Sequence, residues 1–374
     1  MAGIYIHIPF CRKACIYCDF HFSTSIKNKK LILECIQKEI SLRSRYLGED
    51  KVETIYFGGG TPSILSEEDI AGLLLTLQEY FNIENNAEIT LEANPDDLQE
   101  EYLASLIRTG INRLSIGLQS FNQEELIWMN RMHSVKQNFD CLESALKQGF
   151  SNISVDLIYG SKFQSLKTWQ ESLSFIKELG VDHLSCYSLT AEENTVFGNR
   201  IKRKAEMEPN DELSAVQFDY LMDWCESANF EHYEISNFAK NQKYSKHNSS
   251  YWSGKKYLGL GPSAHSFNGV HRSKNVSSNS VYIRNVREEK VFCEVEELDL
   301  KSLFNESILI GLRTKWGINL TNLKNRFPEF YKHTESISSN EMQLGNLKMD
   351  GNQLILTQTG KKFADRIAEK FFII

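Results

Sequence analysis

The run Tyr5-Ile-His-Ile-Pro-Phe-Cys11-Arg-Lys-Ala-Cys15-Ile-Tyr-Cys18 lies near the start of the 374-residue chain, directly after its first predicted strand. Its cysteines follow the spacing Cys-x3-Cys-x2-Cys, and no fourth cysteine completes the set. Cubane iron–sulfur clusters are usually held by four thiolates, one for each iron. Three thiolates in one short loop therefore predict a cubane with one iron open to a small molecule.

The composition is typical of a protein from a reducing compartment. Eight cysteines, without a positively charged leader and cleavage site, predict a cytoplasmic location rather than a disulfide framework. No segment approaches the roughly 20 apolar residues needed to cross a bilayer, so we do not expect a membrane protein. The net charge of −7 argues against a general nucleic-acid binder, because polyanions require a basic face.

Short strands alternate with helical patterns through the first half of the chain. Several strands are continuous apolar or β-branched runs, as expected of parallel strands covered on both faces. The predicted strands are residues 3–8, 53–57, 87–92, 112–117, 152–158 and 182–188. The predicted helices are residues 27–47, 66–81, 97–109, 122–148 and 166–179. Such β–α units predict right-handed crossovers and a parallel sheet, either open or rolled into a barrel.

Polar and glycine-rich motifs follow the strands at their carboxyl ends, where the chemistry of such sheets collects. They are the cysteine loop, the run Gly58-Gly59-Gly60-Thr61-Pro62, and the single residues Glu92, Gln119 and Asp156. A glycine triplet lets a ligand approach the backbone and leaves amides free for a carboxylate or phosphate. We therefore expect these side chains to share one site.

The cysteine triplet, with the aromatic Tyr17 just before its last member, resembles the signature of the radical S-adenosylmethionine (SAM) enzymes. The resemblance implies a 4Fe-4S cluster whose open iron is chelated by the amino and carboxyl groups of SAM, and reductive cleavage of SAM to a 5′-deoxyadenosyl radical. A structural zinc site of three cysteines plus His7 or His21 is the alternative, although zinc ligands usually come in two paired loops.

Further motifs resemble the oxygen-independent coproporphyrinogen III oxidase family over nearly the whole chain. They begin at Tyr5 (Tyr-Ile-His-Ile-Pro-Phe-Cys), Gly58 (Gly-Gly-Gly-Thr-Pro), Glu92 (Glu-Ala-Asn-Pro), Arg113 (Arg-Leu-Ser-Ile-Gly-Leu-Gln-Ser-Phe) and Asp156 (Asp-Leu-Ile-Tyr-Gly). The implied fold is α/β, an incomplete parallel (β/α)6 radical SAM barrel with a small helical, winged-helix-like C-terminal domain.

The same resemblance implies roles for individual residues. Tyr5 would lie against the cluster-bound SAM, and the segment at Thr190 would border the adenine. The amino acid end of SAM would contact Gly59, Gly60 and Thr61. The amino group, ribose and carboxylate would be held by Glu92, Gln119, Arg131 and Asp156. Taken one at a time, an ordinary salt bridge on a βα loop is the alternative for each charged residue.

Three features favour one branch of this family, the HemW-type heme chaperones. The oxidases carry a further cysteine two residues after the third cluster cysteine, where this chain has Phe20. They also carry an N-terminal extension, for which a first strand beginning at residue 3 leaves no room. The run His247-Asn-Ser-Ser-Tyr251-Trp252 resembles the HNxxYW mark of the chaperones, in which the histidine is implicated in holding heme. A histidine satisfying a local hydrogen bond is the alternative.

The function predicted from these features is that of a heme chaperone, which binds heme and transfers it to an acceptor protein. That acceptor could be a membrane-bound respiratory enzyme. The alternative function is the oxidative decarboxylation of coproporphyrinogen III to protoporphyrinogen IX.

We expect three parts in the chain: a radical SAM core (1–240), a connecting segment with the HNxxYW motif (241–295) and a helical C-terminal domain (296–374). Within the last part, Asp350-Gly351-Asn352 stands between alternating apolar residues and predicts a hairpin. This domain has no concentrated basic helix, so we expect it to cover the site or dock a partner rather than bind DNA.

Overall fold

The fold, described by a computed structural model of residues 1–374, is built around six parallel strands. These are β1 (Ala2–Ile8), β2 (Val52–Gly59), β3 (Ile83–Ala93), β4 (Arg113–Gln119), β5 (Ile153–Tyr159) and β6 (His183–Ser188). Each strand pairs in parallel with the next along the chain, from β1 to β6. All six predicted strands are therefore confirmed, together with the parallel sheet.

Helices alternate with these strands and cover the outer face of the sheet. They are α1 (Lys29–Leu42), α2 (Glu67–Tyr80), α3 (Glu100–Thr109), α4 (Gln123–Trp128), α5 (Val135–Lys147) and α6 (Leu166–Glu178). The largest apolar core contains buried side chains from all six strands and from most of these helices. Burial of this apolar surface is the main stabilising term for the sheet.

The prediction of one helix over residues 122–148 was wrong, because the chain breaks there into α4 and α5. Asn130 adopts a left-handed conformation with φ of 64°, and Ser134 starts the second helix with a capping box to Gln137. The break places Arg131 on a turn directed at the site rather than on a helix face.

The inner face of the sheet is polar, which corrects the expectation of strands with apolar residues on both faces. Alternate residues turn inward, such as Tyr5 and His7 on β1 and Glu88 and Glu92 on β3. The residues between them are buried and apolar, for example Ile4, Ile6 and Leu91, which pack outward in the main core. Because successive side chains of a strand point to opposite faces, the sheet has a packed apolar exterior and a polar interior.

The chain next adds strands to both edges of the same sheet, which has twelve strands in all. Two helices, α7 (Val196–Lys202) and α8 (Asp211–Ser227), precede the first of these strands. The later elements are β7 (Glu231–Glu234), β8 (Asn237–Ala239), α9 (Lys246–Trp252), β9 (Lys256–Leu260), β10 (His265–Phe267), β11 (His271–Asn275), α10 (Asn279–Arg287) and β12 (Cys293–Glu297). Strand β9 pairs in parallel with β1, so much of segment 241–295 is built into the sheet. The boundaries at 240 and 295 stay a prediction.

The last part of the chain has its own apolar core and a three-stranded sheet. Its elements are α11 (Leu300–Leu312), β13 (Ile318–Asn319), α12 (Leu320–Arg326), α13 (Pro328–Gln343), β14 (Leu347–Asp350), β15 (Gln353–Leu356), α14 (Gln358–Lys361) and α15 (Ala364–Lys370). The predicted hairpin is confirmed by antiparallel pairing of β14 with β15, and Gly351 at its tip has φ of 57°. Nowhere in the fold is there a helix with the length and apolar character that a bilayer crossing demands.

An ion pair joins the C-terminal part to the barrel. The guanidinium of Arg313 lies 3.1 Å from a carboxylate oxygen of Glu234, whose side chain is almost fully buried, and it also contacts Asp365. The other oxygen of Glu234 accepts hydrogen bonds from the backbone of Ser236 and the side chain of Asn237. Glu234 is thus a buried carboxylate whose only ionic partner is Arg313.

Replacing Arg313 with alanine should lower the free energy of unfolding by about 2–3 kcal/mol, because it leaves the buried Glu234 carboxylate without its cation. Urea denaturation followed by circular dichroism measures this change. Lys167→Ala is the matched control: its side chain is 84% exposed, so the change should stay within about 0.5 kcal/mol. Equal stability of the two variants would contradict the anchoring role of Arg313.

Candidate functional site

The cysteine loop follows β1 and is fixed at both sides by backbone hydrogen bonds. The amide of Cys11 donates to the carbonyl of Ser23, and that of Ser23 donates to the carbonyl of Pro9. Cys11, Cys15 and Cys18 are all free thiols and partly exposed. The loop therefore lies at the carboxyl-end mouth of the barrel, with its sulfurs accessible.

Two donors from other elements point at the sulfurs. The hydroxyl of Thr61 donates to Sγ of Cys11 at 3.4 Å, and Nη1 of Arg131 lies 3.6 Å from Sγ of Cys15. Hydrogen bonds to thiolate sulfurs are a normal part of iron–sulfur sites, where they tune the reduction potential. These residues fit a cubane cluster.

The arrangement fits a single zinc ion less well. No three Cys, His, Asp or Glu side chains are close enough to surround one metal ion, whereas each thiolate of a cubane binds a separate iron. His7, one candidate for a fourth zinc ligand, uses both ring nitrogens, towards the hydroxyl of Tyr5 and the carbonyl of His21.

The glycine loop packs closely on its neighbours, and the expectation of free amides there was wrong; the predicted contacts of Gly59, Gly60 and Thr61 with SAM stay predictions. The amides of Gly59, Gly60 and Thr61 donate to Glu92, to the carbonyl of Ile8 and to the carbonyl of Phe10. A Cβ on Gly60 would lie 2.5 Å from the carbonyl oxygen of Phe10. Glycine is thus required because the loop presses against the start of the cysteine loop.

Glu92 lies beside this loop, and the pKa of its carboxyl group is raised. Its carboxylate accepts hydrogen bonds from the hydroxyl of Tyr56 at 2.8 Å and from the amide of Gly59 at 3.2 Å. Burial raises the pKa of Glu92 to about 7, despite the opposing hydrogen bond from Tyr56. At this position it can accept hydrogen bonds from a ligand amino group when ionised.

Asp156 and Arg131 lie further round the same mouth. The hydroxyl of Ser115 donates to Asp156, and burial raises the pKa of this carboxyl to about 6. Nη2 of Arg131 donates at 2.7 Å to the side chain of Asn94 and also to the carbonyl of Gly117. Arg131 therefore already uses several of its donors in contacts with the protein. Its predicted contact with the carboxylate of SAM stays a prediction.

Gln119 and Thr190 lie at the rim. Gln119 stands at a register shift between β4 and β5 and has φ of 66°, a left-handed conformation. Thr190 is exposed and follows Leu189, whose amide donates to the carbonyl of Tyr159. Their predicted contacts with SAM also stay predictions.

His247 lies near the amino ends of β1 and β2, where its ring stacks on that of Tyr5 with centroids 6.4 Å apart; the predicted contact of Tyr5 with SAM stays a prediction. Its Nδ1 lies 2.8 Å from the hydroxyl of Thr54, and its Nε2 lies 2.8 Å from the hydroxyl of Tyr251. The ring is buried and stacks on Tyr56 with centroids 5.0 Å apart. Both nitrogens are engaged, so iron could bind this ring only after Thr54 or Tyr251 moved away.

Several interior residues were given no role from the sequence, notably Tyr56, Arg113 and Ser115, although the last two were quoted within a family motif. Tyr56 holds Glu92, Ser115 holds Asp156, and Arg113 is 1% exposed in the barrel interior. Their inward position follows from the alternation of polar and apolar residues along each strand, which is visible in the printed sequence.

A loop with three cysteines at the spacing Cys-x3-Cys-x2-Cys, set at the mouth of a parallel β/α barrel, is typical of radical SAM proteins. In agreement, residues 5–176 match the family model described as Radical SAM superfamily. The fold of the whole chain is similar to coproporphyrinogen III oxidase (HemN) from Escherichia coli, with a TM-score of 0.85 at 22% identity over 99% of this chain and 89% of that one.

Relatives of similar length define the family more narrowly. The chain is 33% identical to "Heme chaperone HemW" of Lactococcus lactis, over 99% of this chain and 97% of that protein. It is 34% identical to the protein of the same name from Bacillus subtilis, over 99% of both. The chain therefore belongs to the radical SAM superfamily and, within it, to the HemW family, which confirms the resemblance seen in the sequence.

Cys15→Ala should remove most of the bound iron and inorganic sulfide after anaerobic reconstitution, because one of the three thiolates that anchor the cubane is lost. Iron and sulfide analysis and the brown visible absorption measure the loss. Cys293→Ala, at a partly buried cysteine on β12, should keep the wild-type iron content. Full iron in Cys15→Ala would overturn the assignment.

Glu92→Gln should weaken SAM binding to the reconstituted protein about ten- to hundredfold at pH 8, because a hydrogen bond to a charged group is worth roughly 1.5–3 kcal/mol. With a Glu92 pKa of about 7, the wild-type carboxyl is ionised at pH 8 and protonated at pH 6. The ratio of mutant to wild-type Kd should therefore shrink towards one at pH 6.

Equilibrium dialysis with labelled SAM gives both Kd values, and the ratio cancels the titration of SAM itself. Glu84→Gln, on the same strand but at its opposite end, should leave Kd unchanged. A ratio that does not vary between pH 6 and pH 8 would contradict the role of Glu92.

Proposed function

We propose that the protein binds heme and transfers it to an acceptor protein, with a 4Fe-4S cluster and SAM bound at the mouth of the barrel. The observation that carries this proposal is the relationship over essentially the whole length to proteins named heme chaperone. A shared function is better supported by such full-length similarity than by a shared barrel, which hosts many reactions.

The cluster and SAM part of the proposal is supported by the contacts at the mouth. Cys11, Cys15 and Cys18 would hold the cluster, and Thr61 and Arg131 donate towards its sulfurs. Glu92 would accept from the amino group of SAM, and Asp156 would accept from its ribose hydroxyls. When bound, a reduced cluster supplies the electron for the reductive chemistry of SAM.

The heme part is supported by helix α9, which carries the HNSSYW run. The hydroxyl of Tyr251 is held by Nε2 of His247. Tyr251 and Trp252 of this helix line a cavity of roughly 710 Å³ between the barrel and the C-terminal part. Aromatic side chains of this kind can cover an apolar macrocycle. We propose that His247 contributes to the heme site through this helix.

The acceptor and the compartment are part of the same proposal. We propose transfer to a heme-requiring protein, which could be a membrane-bound respiratory enzyme, from a donor in the cytoplasm. The eight cysteines are all unpaired, as expected in a reducing compartment.

Anaerobic titration of the reconstituted protein with hemin should give saturable binding of one heme per chain, followed by the heme absorption band. Incubation with coproporphyrinogen III, SAM and a reductant should give no protoporphyrinogen IX, measured by chromatography. Formation of protoporphyrinogen IX would instead support the decarboxylase. Non-saturable hemin uptake, equal to that of a protein of similar size without a heme function, would contradict the chaperone.

A further inference from the structure

The cavity that Tyr251 and Trp252 line has three further walls, in addition to Tyr5 and His7 of β1 and Tyr257 of β9. One wall is the segment after the last cluster cysteine, with Phe20 and His21, and another is strand β10. Helices α11 and α12 of the C-terminal part supply the third. Its volume of roughly 710 Å³ lies within the range of about 300–1,000 Å³ typical of ligand sites.

The walls suit a flat apolar ligand. Phe20 is 72% exposed at the edge of the cavity although it is a large aromatic residue. Phe267 lies opposite Tyr257 in the pairing of β10 with β9, and both rings line the cavity. Exposed aromatic surface that faces a cavity costs free energy in water and is relieved when a ligand covers it.

Three histidines line the cavity: His7 has both ring nitrogens engaged, His21 has one engaged, and His265 has neither. His7 uses both nitrogens, and Nε2 of His21 lies 2.8 Å from the side-chain oxygen of Asn279. The ring of His265 is exposed and makes no hydrogen bond with the protein.

Strand β10 directs the ring of His265 into the cavity. Residues two apart on β10, His265 and Phe267, both line the cavity, while Ser266 between them turns inward and accepts a hydrogen bond from the amide of Gly259. Partial burial, with Lys274 and Arg272 nearby, lowers the pKa of His265. A neutral imidazole is the form that binds iron.

The cavity also has cations for the carboxylates of a porphyrin. Lys255 is already paired with Glu53 at 2.6 Å. Arg326, at the end of α12, is exposed and has no carboxylate partner; its guanidinium lies over the ring of Phe327. Arginine can bind a carboxylate through two parallel hydrogen bonds.

We infer that heme binds in this cavity between the barrel and the C-terminal part, with a ring nitrogen of His265 on the iron and Arg326 on a propionate. The inference rests on the proposed heme function and specifies its site. His247 is then a positioning residue, which holds Tyr251 against the macrocycle rather than binding iron itself.

The test uses the reconstituted full-length chain and hemin. In wild type, resonance Raman spectra of the reduced complex should show an iron–histidine stretch. His265→Gly should lose this band and raise the Kd for hemin at least tenfold, and added imidazole should restore the axial ligand. His271→Gly, on the neighbouring strand β11 and outside the cavity, should behave as wild type. Unchanged cluster content in each variant shows that the barrel is folded.

Arg326→Ala should raise the Kd for hemin about fivefold or more, roughly 1 kcal/mol, but leave the Kd for hemin dimethyl ester unchanged because the ester has no carboxylate. Lys324→Ala, on the same helix but outside the cavity, should change neither value.

The outcomes separate the inference from the proposed function. Tight hemin binding with the iron–histidine band intact in His265→Gly, but lost in His247→Ala, would overturn the inference while the heme function stands. A wild-type chain without saturable hemin binding would overturn the proposed function itself. Equal weakening of hemin and its ester by Arg326→Ala would overturn the propionate contact.

Discussion

The polar interior of the barrel encloses a buried positive charge, the guanidinium of Arg113, close enough to influence its buried carboxylates. It is 1% exposed, and arginine cannot lose its proton in a protein. Because the interior has a low dielectric constant, this charge acts over distance. It favours the ionised forms of Glu92 and Asp156, whereas burial favours their neutral forms. It also favours the neutral form of His247. Burial together with Arg113 lowers the pKa of His247 to about 3. One cation thus helps keep two acceptors available for a ligand.

Much of the fold can be predicted from short-range patterns. The six barrel strands are each short, bounded by turn residues and rich in apolar residues, so they were predicted in order. The cysteine loop can be recognised from the spacing of its three cysteines alone. The break between α4 and α5 was missed because residues 122–148 read as one helix, and only Asn130 and the cap at Ser134 interrupt it.

The contacts of the site are less visible in the sequence, because they join residues far apart in the chain. The amides of Gly60 and Thr61 donate hydrogen bonds to carbonyls of the first strand and of the residues after it, and no local sequence pattern reveals these bonds. His247 was found through its motif, but its partner Thr54 lies 193 residues away. No role was assigned to His265 from the sequence, because its free ring nitrogens are a property of the surrounding cavity.

The seam between the two apolar cores has a mechanical consequence. The cavity is walled by the barrel on one side and by α11 and α12 on the other, and the C-terminal part is anchored through Arg313 and Glu234. A ligand in this cavity would contact both the barrel and the C-terminal part. If heme binds there as proposed, moving the C-terminal part away from the barrel would remove one wall of its site and leave the cysteine loop in place, so the position of the C-terminal part would set how tightly heme is held.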